Sequence, residues 1–173
     1  MNIGDKLPAF NLKGIDGEMY NQYAYADRYA LLVIFTNNSC PVAVAYRNRI
    51  KNLLKRYEED NLGIVRINSM AKNSESESLE EMKKMYDDLK LEHLYLMDED
   101  QQMAKSFGAN KVPEAFLFNS KRELVYKGAI DDSWENENMV TRVYLEDAIE
   151  AALDGIDVDY PEVAPVGCDM VWN

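Results

Sequence analysis

Leu31-Leu32-Val33-Ile34-Phe35-Thr36-Asn37-Asn38-Ser39-Cys40-Pro41 is the stretch that decides the fold. An unbroken apolar run reads as a strand covered on both faces. A polar turn follows it, and then Pro41 opens an amphipathic segment. Proline lacks an N–H, so Pro41 belongs in the first helical turn, which puts Cys40 at the helix start. A helix N-terminus favours the thiolate over the thiol, and the thiolate is the nucleophile. Cys40 is therefore the first candidate for chemistry.

Outward from that junction, helices and strands alternate. Ile50, Leu53, Leu54 and Tyr57 share one face of a helix over 41–57. A second strand is expected over 62–67, and 72–77 reads as a polar loop. Ser78-Leu79-Glu80-Glu81 is a capping box for a helix with Leu79, Met82, Met85, Tyr86 and Leu89 inward. A short strand at 94–97 leads to Asp98, which caps a helix burying Met103, Ala104 and Phe107, with Gly108 after it. Strands at 115–119 and 123–128 are joined by a tight turn and pair antiparallel. A last helix is expected over 140–153, with Val140, Tyr144, Ala148, Ile149 and Ala152 on its buried side. A leading hairpin turns at Gly14-Ile15-Asp16-Gly17. The whole predicts an α/β chain with a mixed central sheet, helices on both faces, an N-terminal hairpin and a C-terminal tail. At 173 residues one domain, 1–173, is expected.

Charge narrows the function. A net charge of −12 argues against nucleic acid and anionic membranes as partners. No apolar run approaches the roughly 20 residues of a membrane span, and Met1–Lys6 has no apolar signal core, so a cytoplasmic location is expected. Thiols stay reduced there, so a permanent disulfide is not expected. The chain has two cysteines and one histidine, too few at fitting spacing for a zinc site. No metal and no cofactor are expected. His93 reads as an edge residue, Asp98-Glu99-Asp100 as a helix cap, and Asp131-Asp132 as turn formers.

Six segments in order carry a resemblance. They are Gly4–Leu12, Phe35–Pro41, Tyr95–Gln101, Val112–Phe118, Gly128–Ser133 and the tail Pro165-Val166-Gly167-Cys168. Together they resemble the AhpC/TSA-like redoxins of the thioredoxin-like superfamily, relatives of the peroxiredoxins. That family carries C-N-x-C-P at the active turn, whereas Asn37 stands here in place of the first cysteine. Peroxiredoxins place threonine three residues before the peroxide-reactive cysteine. Here Asn37 is three before Cys40 and Thr36 is four before.

The resemblance implies a thioredoxin-like fold and a thiol-dependent oxidoreductase. Cys40 would attack a peroxide or disulfide, and a small thiol or another redoxin would restore it. It also implies a cis Val112–Pro113 bond facing Cys40, with the Val112 backbone free to pair with an extended peptide. Thr36, Asn37, Val112 and Pro113 are the candidate substrate-binding residues. Asn37 reads first as a helix cap. Cys168 has two readings: a resolving cysteine, needing its Cα within about 7 Å of that of Cys40, or a buried anchor for Trp172, the simpler reading. Association into a homodimer is compatible with the resemblance. Loss of the first cysteine leaves a redox-inactive peptide- or protein-binding module as the alternative function.

Overall fold

The computed structural model describes residues 1–57, 59–89 and 94–173. Its strands are β1 (Asn11–Gly14), β2 (Met19–Asn21), β3 (Ala30–Phe35), β4 (Leu62–Asn68), β5 (Leu94–Met97), β6 (Lys111–Val112), β7 (Glu114–Phe118), β8 (Leu124–Gly128), β9 (Glu162–Val163) and β10 (Cys168–Asp169). Its helices are α1 (Pro41–Tyr57), α2 (Leu79–Leu89), α3 (Gln102–Phe107) and α4 (Tyr144–Leu153).

One sheet runs β2-β1-β5-β4-β3-β7-β8-β9. It is mixed, as expected. β3 pairs parallel with β4 and antiparallel with β7, so it lies centrally. All six of its residues are fully buried, which is what a strand without polar alternation requires. Phe107 of α3 packs edge-to-face against Phe35, Phe116 and Phe118, with centroids 5.2, 5.1 and 5.8 Å away. Such edge contacts add roughly 0.5–1.5 kcal/mol each beyond area burial. They tie α3 to β3 and β7.

α1 starts and ends where its sequence places it. Ile50, Leu54 and Tyr57 are buried and Leu53 is partly so. In α2, Met82 and Met85 pack on Tyr95 and Met97 of β5. The Leu89 side chain and His93 lie outside the described residues. Asp98 caps α3 as read: its carboxylate accepts from Met103 N at 3.1 Å and Ala104 N at 2.9 Å.

Three expectations need correction. The last helix starts at Tyr144, not at residue 140. Asp132 holds Thr141 through its backbone N–H and hydroxyl, and a single 3-10 turn at Glu137–Met139 precedes it. Leu145, Ala148, Ile149 and Ala152 form the buried stripe instead. The 72–77 segment is no free loop, because it contains a 3-10 turn whose Glu77 is buried. Asp131 does more than form a turn. It is buried and ion-paired to Arg49 at 2.8 Å. β6, β9 and β10 were not foreseen; each has two residues, too few for a periodic signal.

Candidate active site

The active turn is assembled by backbone bonds before any chemistry enters. Thr36 N donates to Ile67 O at 2.9 Å, prolonging the β3–β4 pairing past Phe35. Asn37 Oδ1 then accepts from Cys40 N at 3.0 Å. Cys40 O accepts from Val44 N at 2.8 Å, so Cys40 is the N-cap of α1 and Pro41 its first residue. The cap-like reading of Asn37 therefore describes its hydrogen bond. Its side chain satisfies a donor at the helix start.

Asn38 is held from four sides. Its N–H donates to Glu77 Oε1 at 2.6 Å and its amide to Ser76 O at 3.1 Å. Tyr95 OH donates to its Oδ1 at 2.9 Å, and Arg47 Nη2 to its carbonyl at 2.7 Å. Glu77 also accepts from Ser39 N at 3.1 Å and from Ser39 Oγ at 2.5 Å. A buried carboxylate thus fixes the turn from outside the motif. Nothing in the run Ser74-Glu75-Ser76-Glu77-Ser78 singles Glu77 out, so sequence reasoning missed it. Arg47 and Arg49 bond to carbonyls and to Asp131, and neither shows a bond to sulfur.

Facing the turn is the cis Val112–Pro113 bond. Cys40 Sγ lies 3.6 Å from Val112 O. The Val112 backbone is not open. β10 pairs with it antiparallel, Cys168 opposite Val112 and Asp169 opposite Lys111. The chain's own tail occupies the edge expected to take a peptide.

That tail carries Cys168 to Cys40. The two sulfurs are bonded at 2.09 Å, with Cα atoms 6.0 Å apart, well inside the range a disulfide needs. The distance that the resolving reading of Cys168 requires is met, and the simpler reading of Cys168 as an anchor falls. The anchor is its neighbour Met170, which is buried and donates N–H to Asn110 O at 2.8 Å. Trp172 is 43% exposed, with Lys105 Nζ 6.0 Å from its ring centre. Val171 O accepts from Asn73 Nδ2 at 2.7 Å and Gln101 Nε2 at 2.8 Å. Cys40 is buried, as are Thr36, Asn37 and Val112; Cys168 is half-buried.

Gly167 permits this seating. A Cβ there would lie 2.1 Å from Val112 O and 2.7 Å from Val112 C. Both atoms are backbone, so no rotamer can relieve the clash. Gly167→Ala is expected to keep the fold but lift the tail. The effective concentration of Cys168 at Cys40 should fall at least tenfold, read as the equilibrium with a glutathione redox buffer. An unchanged equilibrium would show that the tail seats without this approach.

Burial raises the pKa of Glu114, next to Pro113, although Asn110 and Lys111 N–H groups bond its carboxylate. No cluster of metal-ligating side chains occurs among the described residues. None of their helices is long and apolar enough to cross a membrane.

The AhpC/TSA family pattern matches residues 3–127. The chain belongs to the AhpC/TSA family. No curated protein matches it. Its structure is similar to that of a hypothetical protein from Sinorhizobium meliloti 1021, at 32% identity and TM-score 0.93, covering 100% of this chain and 96% of that one. It is similar also to an uncharacterized conserved protein from Geobacillus kaustophilus, at 29% identity and TM-score 0.93, covering 99% and 93%. A putative thiol:disulfide interchange protein DsbE from Chlorobium tepidum shares the fold, at 20% identity and TM-score 0.70, covering 88% and 99%. The thioredoxin-like fold is thereby shown, and membership supports thiol-oxidoreductase-type function. At residue 37 the side-chain amide oxygen accepts from Cys40 N at the start of α1.

Proposed function

We propose that this redoxin is a thiol-dependent oxidoreductase whose working pair is Cys40 and Cys168. The observation that carries the reading is the Cys40–Cys168 disulfide across the active turn and the cis-proline loop. The family's usual partner thiol is absent at residue 37, and the tail supplies one from 128 positions away.

In the reduced protein the Cys40 thiolate would attack a peroxide. One peroxide oxygen transfers to sulfur, the O–O bond breaks, and the other oxygen leaves as an alcohol or water after taking a proton. The Cys168 thiolate then attacks the sulfenic sulfur and releases hydroxide, which is protonated to water. A disulfide substrate would be reduced by the same pair. Cys40 attacks one sulfur, the first substrate thiolate leaves, and Cys168 releases the second from the mixed disulfide. Either route ends at the disulfide described above.

Return to the dithiol needs two electrons from a small thiol or another redoxin. Exposure favours Cys168 as the sulfur an incoming thiolate meets, because Cys40 is only 4% exposed. The leaving group is then Cys40, at a helix start that stabilises negative charge. Lifting the tail would bare the backbone of Val112 beside Thr36, Asn37 and Pro113, the surface on which we place substrate binding.

Stoichiometry tests this. Fully reduced protein, freed of reductant, should consume one equivalent of hydrogen peroxide or of a model disulfide and lose both free thiols together. The preferred substrate is the one consumed faster. A protein that reacts with neither, while its thiols remain, would leave the peptide- or protein-binding alternative in its place.

A further inference from the structure

We propose that the small cavity between β4 and α1 is a binding site for a monovalent anion of about the size of a water molecule, held by Arg66. Arg66 lies within β4, where every residue is buried, and it is itself 3% exposed. Its guanidinium lies 4.8 Å from the centre of the Tyr95 ring, whose hydroxyl is committed to Asn38. Arg66 Nε and Nη2 are buried with no hydrogen-bond partner. Among the described residues no carboxylate pairs with it, and a buried cation with unmet donors is among the costliest arrangements in a protein interior.

The cavity it lines points to what completes it. Arg47 and Lys51 of α1 share the lining with Arg66, Thr36 and Asn37, and among the described residues no aspartate or glutamate does. Three cations without an acid stand out in a chain of net charge −12. About 20 Å³ there is open to a water-sized sphere, roughly the space one such particle needs. A neutral water could accept from both nitrogens but would leave the charge uncompensated. A halide accepts several donors at once and cancels it. Burial lowers the Arg66 pKa to about 10, so the group stays charged at neutral pH. The site lies behind Thr36 and Asn37, and its test does not depend on redox turnover.

Crystals grown in sodium bromide should show an anomalous peak beside the Arg66 guanidinium. In solution, exchanging gluconate for chloride at fixed ionic strength should raise the wild-type melting midpoint by about 2–4 °C more than that of Arg66→Met. The Met variant replaces a stranded charge with a chain of similar volume, so it should fold. Lys51→Gln, at the rim, should retain a reduced shift. No bromide peak together with equal chloride responses in wild type and Arg66→Met would overturn the site. Stabilisation by phosphate equal to that by chloride would overturn the assignment by size.

Discussion

Cys40→Ser is expected to bring peroxide- and disulfide-coupled turnover to the level of buffer alone. The other cysteine, Cys168, sits on a tail strand rather than at a helix start. Cys168→Ser should behave differently. It keeps the N-cap, the active turn and the Val112 loop, so its first reaction with substrate should persist at up to one equivalent. Steady turnover should then fall by one or more orders of magnitude, because the intramolecular exit is lost and a bimolecular thiol must replace it. A sulfenic acid or a trapped mixed disulfide on Cys40 should accumulate, visible by mass spectrometry. Equal multiple-turnover rates in wild type and Cys168→Ser would remove the tail from the mechanism. Equal rates in wild type and Cys40→Ser would remove the active turn as well.

The largest stability loss should come from Asp131→Ala. Asp131 Oδ1 accepts from Tyr46 OH at 2.6 Å and from Ser133 N at 2.9 Å, while Oδ2 meets Arg49 at 2.8 Å. The Asp131 and Arg49 side chains are 7% and 11% exposed. Arg49 also donates to Ser133 O and Trp134 O, both at 2.6 Å, so one ion pair stitches α1 to the segment after β8. Removing one member of a buried pair strands the other, at a cost of about 3–5 kcal/mol. For a chain of this size that is a melting midpoint lower by roughly 6–20 °C. Combining Asp131→Ala with Arg49→Met should recover part of the loss, since the second change removes the stranded charge. A double variant no more stable than Asp131→Ala would place the cost in the lost hydrogen bonds instead.

Legibility in the sequence followed the range of the forces involved. Pro41, Asp98 and Gly108 act on their own neighbours, so the start of α1 and both ends of α3 could be read locally. The buried run of β3 and the hairpin between β7 and β8 were equally plain. What escaped depends on groups far apart in the chain. Glu77 reaches Asn38 and Ser39 across 39 and 38 positions. Thr141 is kept from the α4 helix by Asp132, which looked like a simple turn residue. Cys168 could not be assigned to Cys40, because β10 is two residues long and its partner β6 equally short. Gly167 preceding it was visible in sequence, but only the approach of Val112 explains it. Arg66 interrupts the apolar run of β4, and the two guanidinium nitrogens left without a partner emerge only in three dimensions.

Because the bond between Cys40 and Cys168 spans 128 positions, it encircles most of the polypeptide. In the loop-entropy description, such a ring disfavours the unfolded chain by about 5 kcal/mol. A redoxin cycling between dithiol and disulfide forfeits and regains that restraint at every turnover. Its packed interior alone must therefore keep it folded during the reduced half of the cycle, and its resistance to unfolding becomes a readout of the redox poise around it.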